Sequence, residues 1–371
     1  MTGSPLVAVI RGDGIGGDVT DAALAVTAAA LARRGLPAIR HDDIDAGAAY
    51  LTETGRDIEA DGETRAGAAD AMFLGAIGLP QVRYQNGTEI SPHLRLRDIY
   101  QLYAGVRPVR AYPHAPQRLA DPRAAQLDLV IIRESTEGLF YSAAVHDRAV
   151  VEGDDNAPDA VSDIMRITHH TTRRLHEFAF TYAARRRARG FAGALTCVDK
   201  ANVFASQAFF RSIFDDVKAA HPDIVTSYSY VDAMALDMVR RPWDFDVMVM
   251  ENMFGDILSD LAGGLVGGMG MAACAEIGDT TGLFQPAHGS APDIAGTDAA
   301  NPLAAILSVA MMLDYLADKT AHPAYGDAAS LIEKAVEQGF AAGAFRPVEF
   351  GGDMGTTAVT RAVLDQIANP S

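Results

Sequence analysis

Two cysteines in 371 residues, Cys197 and Cys274, are too few and too far apart for a disulfide framework or a cysteine metal site. They read as buried thiols of a reducing compartment, so the expected location is cytoplasmic. Basic residues are also scarce: 31 Lys and Arg stand against 48 Asp and Glu, a net charge of −17. Such a surface repels phosphate backbones and anionic headgroups, which argues against nucleic acid and membrane partners. It repels small anionic substrates too, so any site for them must supply its own cations. No apolar stretch approaches the ~18 residues that a membrane-spanning helix needs. The N-terminus lacks the basic and then apolar pattern of a signal peptide. No internal repeat and no long low-complexity linker is visible.

What is present is ordinary globular composition, 49% hydrophobic and 21% charged, enough for one large domain or two medium ones. Strand-like runs alternate with helical patterns, the mark of an α/β protein. "LVAVI", "AMFLGAIG", "LDLVIIR", "GALTCVD", "TSYSYVDAM" and "FDVMVME" read as strands. "DVTDAALAVTAAALARRG", "ITHHTTRRLHEFAFTYAARRR" and "NPLAAILSVAMMLDYLADK" read as helices. The polar, turn-rich "VVEGDDNAPDAVSD" reads as an excursion from the main body.

Several clusters carry possible chemistry. In "IRGDGIGG", Gly12, Gly14 and Gly17 spell GxGxxG between an apolar strand and a helix, the outline of a dinucleotide fingerprint. That fingerprint also wants an acid about twenty residues further on, and Asp42 and Asp43 come late for it. In "ENMFGDILSDLAGGL", helical spacing puts Phe254, Ile257, Leu258, Leu261 and Leu265 on one face. Asp256 and Asp260, four apart, fall on the other side. Two carboxylates one turn apart suit a hard divalent cation, but taken alone they better describe a solvated acidic face. Arg95, Arg97, Arg107 and Arg110 in "SPHLRLRDIYQLYAGVRPVR", with Arg133 at the end of "VIIR", share an expected strand-to-turn setting that suits bidentate capture of carboxylates. Singly, each is an ordinary ion-pair residue. Lys200 follows a strand in "CVDKANVF", and Asp232 follows a tyrosine-rich strand. "FQPAHGSAPDIAGTDAANPLAAIL" reads as a long structured loop feeding a helix at Asn301-Pro302, with amides free to receive phosphate.

Together these segments resemble the β-decarboxylating dehydrogenases: isopropylmalate, isocitrate, homoisocitrate, tartrate and D-malate dehydrogenases. The likeness runs from "VAVIRGDGIGGDV" to "GGDMGTTAVTRAVLD", and its most specific pieces are "VDKANV", "NMFGDILSDLAGGL" and "HGSAPDIAG" with "ANPLAAILS". The resemblance implies an isopropylmalate dehydrogenase-like two-domain α/β fold sharing one large twisted mixed sheet, not a Rossmann fold. Residues 1–102 and 267–371 would form the larger, cofactor-binding domain. Residues 103–266 would form the smaller dimerisation and metal/substrate domain, with an arm near 140–165.

By the same resemblance, Arg97, Arg107 and Arg133 grip the carboxylates of a 2-hydroxy diacid. Asp256 and Asp260 hold Mg2+ or Mn2+ with Asp232, and Lys200, contributed like Asp232 by the other subunit of a homodimer, serves proton removal. "GDGIG", including Ile15, becomes a turn beside the cleft, and NAD lies against His288, Gly289, Ser290, Ala291, Asp293, Ile294 and Asn301. An acid at 293 resembles the NAD-preferring members. The family usually places a tyrosine as proton donor where this chain has Phe140; Tyr141 stands next to it. In the selectivity segment Ser91 and His93 face the substrate, with Ile90 and Leu94 as apolar wall. The expected substrate is 3-isopropylmalate or a related alkylmalate, then tartrate or D-malate, then isocitrate. A catalytically weak regulatory subunit is the alternative of another class.

Overall fold

The computed structural model describes residues 4–144, 150–154 and 157–369. Its strands, in chain order, are β1 Leu6–Gly12, β2 Arg40–Asp43, β3 Ala71–Ala76, β4 Ala104–Arg110, β5 Asp128–Glu134, β6 Val150–Asp154, β7 Ala157–Ser162, β8 Leu195–Asp199, β9 Thr226–Tyr230, β10 Val247–Met250, β11 Ala273–Ile277 and β12 Gly282–Pro286. Ten of them form one mixed sheet in the order β2-β1-β3-β12-β11-β4-β5-β10-β8-β9. β4 runs antiparallel to both neighbours, β11 and β5, and β11 runs antiparallel to β12. The other pairings are parallel. β6 and β7 make a separate antiparallel ribbon. Of the arm expected near 140–165, residues 145–149 and 155–156 lie outside the described residues.

Both faces of the sheet are covered, as a mostly parallel sheet requires. Alternation along β1 shows it: Val7 and Val9 join the large core under the helices Gly16–Arg33, Leu303–Thr320 and Ala324–Ala341, while Ala8 and Ile10 join a smaller cluster on the other side. The helix Leu303–Thr320 is buried on most of its surface and is the hub of the large core. The first five strands in the sheet order come from residues 6–76 and 273–286, the last five from 104–250. They meet at the seam between β11 and β4, where Glu276 lies opposite Gly105.

Three sequence expectations are corrected. The strand read from "TSYSYVDAM" stops at Tyr230, and Val231–Arg240 is a helix. β9 is an edge strand with largely exposed side chains, so no burial extends it. Asp232 sits in the first turn of the new helix, where a carboxylate suits the helix dipole, and Met234 and Met238, four apart, face the core. The helix Asn252–Leu265 forms, but it turns Gly255, Leu258, Ser259 and Ala262 inward, and Ile257 is 58% exposed. Small residues let this helix approach the sheet: a Cβ on Gly255 would stand 2.6 Å from the Arg133 side chain. The arginines do not share a strand-to-turn setting. Arg95 and Arg97 lie on the helix Pro92–Ile99, Arg107 lies within β4, and only Arg133 ends a strand.

Candidate active site

A cleft of about 920 Å³ opens at the seam of the sheet. Strand parity decides what it receives. On β4, Arg107 points into the cleft, while Val106 and Pro108 line a separate 440 Å³ cavity on the opposite face. Arg97, Arg107 and Arg133 all reach the cleft, yet they are only 4%, 6% and 1% exposed. Three guanidinium groups so deeply buried need partners.

The partners include two residues that sequence reasoning missed. Glu276 on β11 is fully buried, and its Oε1 lies 2.9 Å from Arg97 Nη2 and 3.6 Å from Arg107 Nη2. Burial pushes this carboxyl up, but Arg97, Arg107 and Arg133 outweigh burial and hold it below its ordinary value. A lone acid inside the apolar run "MAACAEI" was the available signal, since a charge in a buried strand demands cations nearby. Asn252 is the second. Its Oδ1 accepts from Arg133 Nε at 2.9 Å and Nη2 at 2.7 Å, and its Nδ2 donates to the Glu137 carbonyl at 3.0 Å. The remaining edge of Arg133 pairs with Asp256. Burial and the neighbouring charge of Arg107 press the Arg133 pKa down to about 10. Arg95 and Arg110 play no part: Arg95 is held by Asp57 and Glu63, Arg110 by Asp128 and Glu337.

Asp256 and Asp260 both line the cleft. Burial, and then the charge of Asp256, raise the Asp260 pKa. Hard oxygen donors of this kind fit Mg2+ or Mn2+. Among the described residues of one chain, no three His, Cys, Asp or Glu side chains converge into a metal-binding group. Lys200 and Asp232 do not line this cleft and instead form an ion pair with each other.

Ser91, the N-cap of the helix that carries Arg97, and His93, in that helix's first turn, line the cleft. The His93 Nδ1 is sealed from solvent and has no hydrogen-bond partner. Burial, with Arg97 and Arg133 nearby, presses its pKa to about 3, so the ring is neutral. Phe140 lines the cleft with its ring 4.7 Å from Arg133 Cζ. Tyr141 is outside the lining and carries Arg166 4.7 Å over its ring.

The loop from His288 to Asn301 docks on the "GDGIG" turn. Ile15 N donates to the Ser290 carbonyl at 2.8 Å, Ser290 Oγ donates to the Gly78 carbonyl, and Gly296 N donates to Asp18 at 3.0 Å. Asp13 anchors the turn by accepting from Ala48, Ala49 and Gly78 amides. His288 and Gly289 reach the cleft, whereas Ile15, Ser290, Ala291, Asp293, Ile294 and Asn301 lie outside its lining. Asp293 and Ile294 sit exposed on a 3-10 turn, Pro292–Ile294, entered through Ala291 at φ 35°. Asn301 closes the loop, its Nδ2 on Glu349 and its Oδ1 accepting from Leu303 N. Asp42 and Asp43 are engaged by Arg65 and Arg11 and are not poised to receive a ribose.

Comparison with known proteins gives a consistent picture. The isocitrate/isopropylmalate dehydrogenase family profile matches residues 6–367. The chain is 37% identical over 362 residues to the 3-isopropylmalate/3-methylmalate dehydrogenase of Methanocaldococcus jannaschii, covering 97% of this chain and 98% of that protein. It is 39% identical over 344 residues to the 3-isopropylmalate dehydrogenase of Xanthomonas euvesicatoria, covering 90% of each. Among solved structures, isocitrate dehydrogenase from Methylococcus capsulatus superimposes with a TM-score of 0.83 at 33% identity, covering 98% of this chain and 99% of that one.

Proposed function

This chain belongs to the isocitrate/isopropylmalate dehydrogenase family, the decarboxylating dehydrogenases, and from that premise we propose that it oxidises a malate-type 2-hydroxy diacid with NAD and a divalent metal. The best candidate is 3-isopropylmalate or a related alkylmalate. The observation that carries the reading is the convergence of three buried arginines and a carboxylate pair in one cleft.

In this reading Arg97, Arg107 and Arg133 bind the two carboxylates and fix the C2 hydroxyl toward Asp256 and Asp260. Mg2+ or Mn2+ held by those two aspartates and the Asp232 of a second copy would act as a Lewis acid on the C2 oxygen. NAD, seated along His288–Asn301, would accept the hydride. Asp293, exposed on that loop, would meet the adenosine ribose and repel a 2′-phosphate. Lys200 of the second copy takes the hydroxyl proton as the carbonyl forms. The 2-oxo acid then carries a carboxylate β to its carbonyl, the arrangement that loses CO2. Phe140 cannot donate the final proton. That proton comes from water, or from Tyr141 once the short helix Phe140–Ala144 shifts.

The shared site requires a homodimer. Leu236, Val239 and Ile257 are 56%, 48% and 58% exposed on the two adjoining helices Val231–Arg240 and Asn252–Leu265, an apolar face suited to its own copy. We assign 1–102 and 267–371 to one domain and 103–266 to the other, hinged at the seam.

The test is an assay of the purified protein with NAD, MnCl2 and a panel of 2-hydroxy diacids, reading NADH and CO2 together. A malate-type diacid should give both in equal amounts, EDTA should abolish turnover, and NADP should substitute poorly. NADH from none of the panel would sink the reading.

A further inference from the structure

Resting on the dehydrogenase reading, we propose that Glu276 sets the charge of the substrate cleft, so that it accepts a dianionic 2-hydroxy diacid with an uncharged γ-substituent and rejects a third carboxylate.

The argument is a charge count in a fixed, desolvated cluster. Arg97, Arg107 and Arg133 are the buried cations of the cleft, and each is at most 6% exposed. Glu276, at 0% exposed, lies against two of them. Three cations less one anion leave a surplus of two, the charge of a malate-type dianion. Glu276 is wholly buried, so its charge stays in the cluster rather than in solvent. It sits at the seam, opposite Gly105, and a Cβ on that glycine would stand 2.9 Å from Glu276 Oε2. Cys274 Sγ also contacts its Oε1 at 3.4 Å.

Among the described residues lining the cleft, no other Lys or Arg is present, and burial lowers the pKa of His288, the second imidazole there. His93 is neutral, held so by burial and by the arginines themselves. Its orphaned Nδ1 serves an uncharged polar group or a water instead. The other charged groups in the lining, Glu89, Asp163, Asp256 and Asp260, are acids. Two of these are assigned to the metal, and the other two add repulsion. Lys200 and Asp232, which pair within one chain, would come together from the second copy, so the lysine would arrive with an anion and add no surplus cation. Near His93, Ile90, Leu94, Leu139 and Phe140 supply apolar lining, against which a third carboxylate would lie desolvated and unpaired.

The first experiment compares the enzyme with its Glu276→Gln variant, which keeps the shape and one acceptor for Arg97. Both are assayed with NAD and MnCl2 on 3-isopropylmalate, D-malate and isocitrate. The native enzyme should favour its better dianion over isocitrate by at least ~100-fold in kcat/KM. Glu276→Gln should shift that ratio toward isocitrate by ~10-fold or more, mainly through KM, because the effect is on ground-state charge. A native preference for isocitrate, or an unmoved ratio in a folded variant, overturns the proposal while leaving the dehydrogenase reading intact. The second experiment needs neither turnover nor the variant. Calorimetric titration of the native protein with MnCl2 present compares succinate, a dianion, with tricarballylate, a trianion of the same backbone. Succinate should bind ~10-fold tighter or more; equal or reversed affinities overturn the proposal. Absence of NADH from every diacid would count against the dehydrogenase reading, and the titration would still decide the role of Glu276.

Discussion

Glu134 stands one residue beyond Arg133 and is buried. Its carboxyl accepts from Thr136 N and Oγ1, both at 2.7 Å, and from Glu137 N at 2.6 Å. Those bonds favour the anion, but burial wins and raises its pKa from 4.5 to about 7, helped by the charge of Glu137. An acid whose folded pKa is raised stabilises the fold below its unfolded value and loses that contribution as pH climbs through the folded one. The window is therefore from 4.5 to about 7. Across it the native protein should lose up to ~3 kcal/mol relative to Glu134→Gln, which has no proton to release. Melting temperatures of the two proteins at half-unit pH steps measure this, and a constant difference across the window would refute it. At this scale the sequence was read unevenly. Five arginines stood out as cations in so acidic a chain, but only the family resemblance separated Arg97, Arg107 and Arg133 from Arg95 and Arg110. Glu276 and Asn252 were not legible, because an acid and an amide mean something only beside the guanidinium groups that the fold brings to them.

The "GDGIG" turn shows what an element adds to its residues. Gly14 has φ +55°, and a Cβ there would stand 2.0 Å from the Ser290 carbonyl oxygen, the atom that receives the Ile15 amide. Gly17, the residue that completes GxGxxG, has nothing within 4 Å of its would-be Cβ. A dinucleotide fingerprint needs its last glycine for close packing, and this one has no such duty. Gly17→Ala, in the first turn of a helix, should leave the KM for NAD unchanged and add up to ~1 kcal/mol of stability. Gly14→Ala should cost ~1–3 kcal/mol from backbone strain alone and weaken NAD binding by undocking the 288–301 loop. Equal loss of NAD affinity in both variants would restore the fingerprint reading. Elements with a plain period, such as Leu6–Gly12, Gly16–Arg33 and Leu303–Thr320, are legible in the sequence for the same reason that they fold: one face or both are continuously apolar. Ala104–Arg110 and Ala273–Ile277 escaped because their strands carry buried charges that break the apolar run, and Arg107 and Glu276 meet at the seam. The helix Asn252–Leu265 keeps Leu258 in the core with Phe254, Leu261 and Leu265 packed beside it, but Ile257 turns out to solvent and Gly255, Ser259 and Ala262 pack inward, small side chains that periodicity alone does not count.

Across the whole molecule, the sheet divides the work. Its two sets of strands meet where Glu276 and Arg107 lie side by side, so the cleft belongs to both. Lys200 and Asp232 sit beyond β8 and β9, at the far edge of the sheet, and do not line their own chain's cleft. The proposed two-chain site would bring this ion pair, which lies next to the exposed Leu236 and Val239, to the cleft of a second copy. The consequence is testable by complementation. Lys200→Ala and Asp256→Asn should each reduce kcat by at least ~100-fold as homodimers. Mixed and allowed to exchange subunits, they form heterodimers in which one site carries both substitutions and the other carries neither. Random exchange makes half the dimers mixed, each with one intact site, so activity should return to about a quarter of the native value. Ile257→Asp in either partner should block that recovery by placing an unpaired charge in the apolar face, with a monomer appearing on size exclusion. If the mixed variants stay inactive although subunit exchange is demonstrated, Lys200 and Asp256 serve the same site within one chain, and the two-chain assembly of the cleft is wrong.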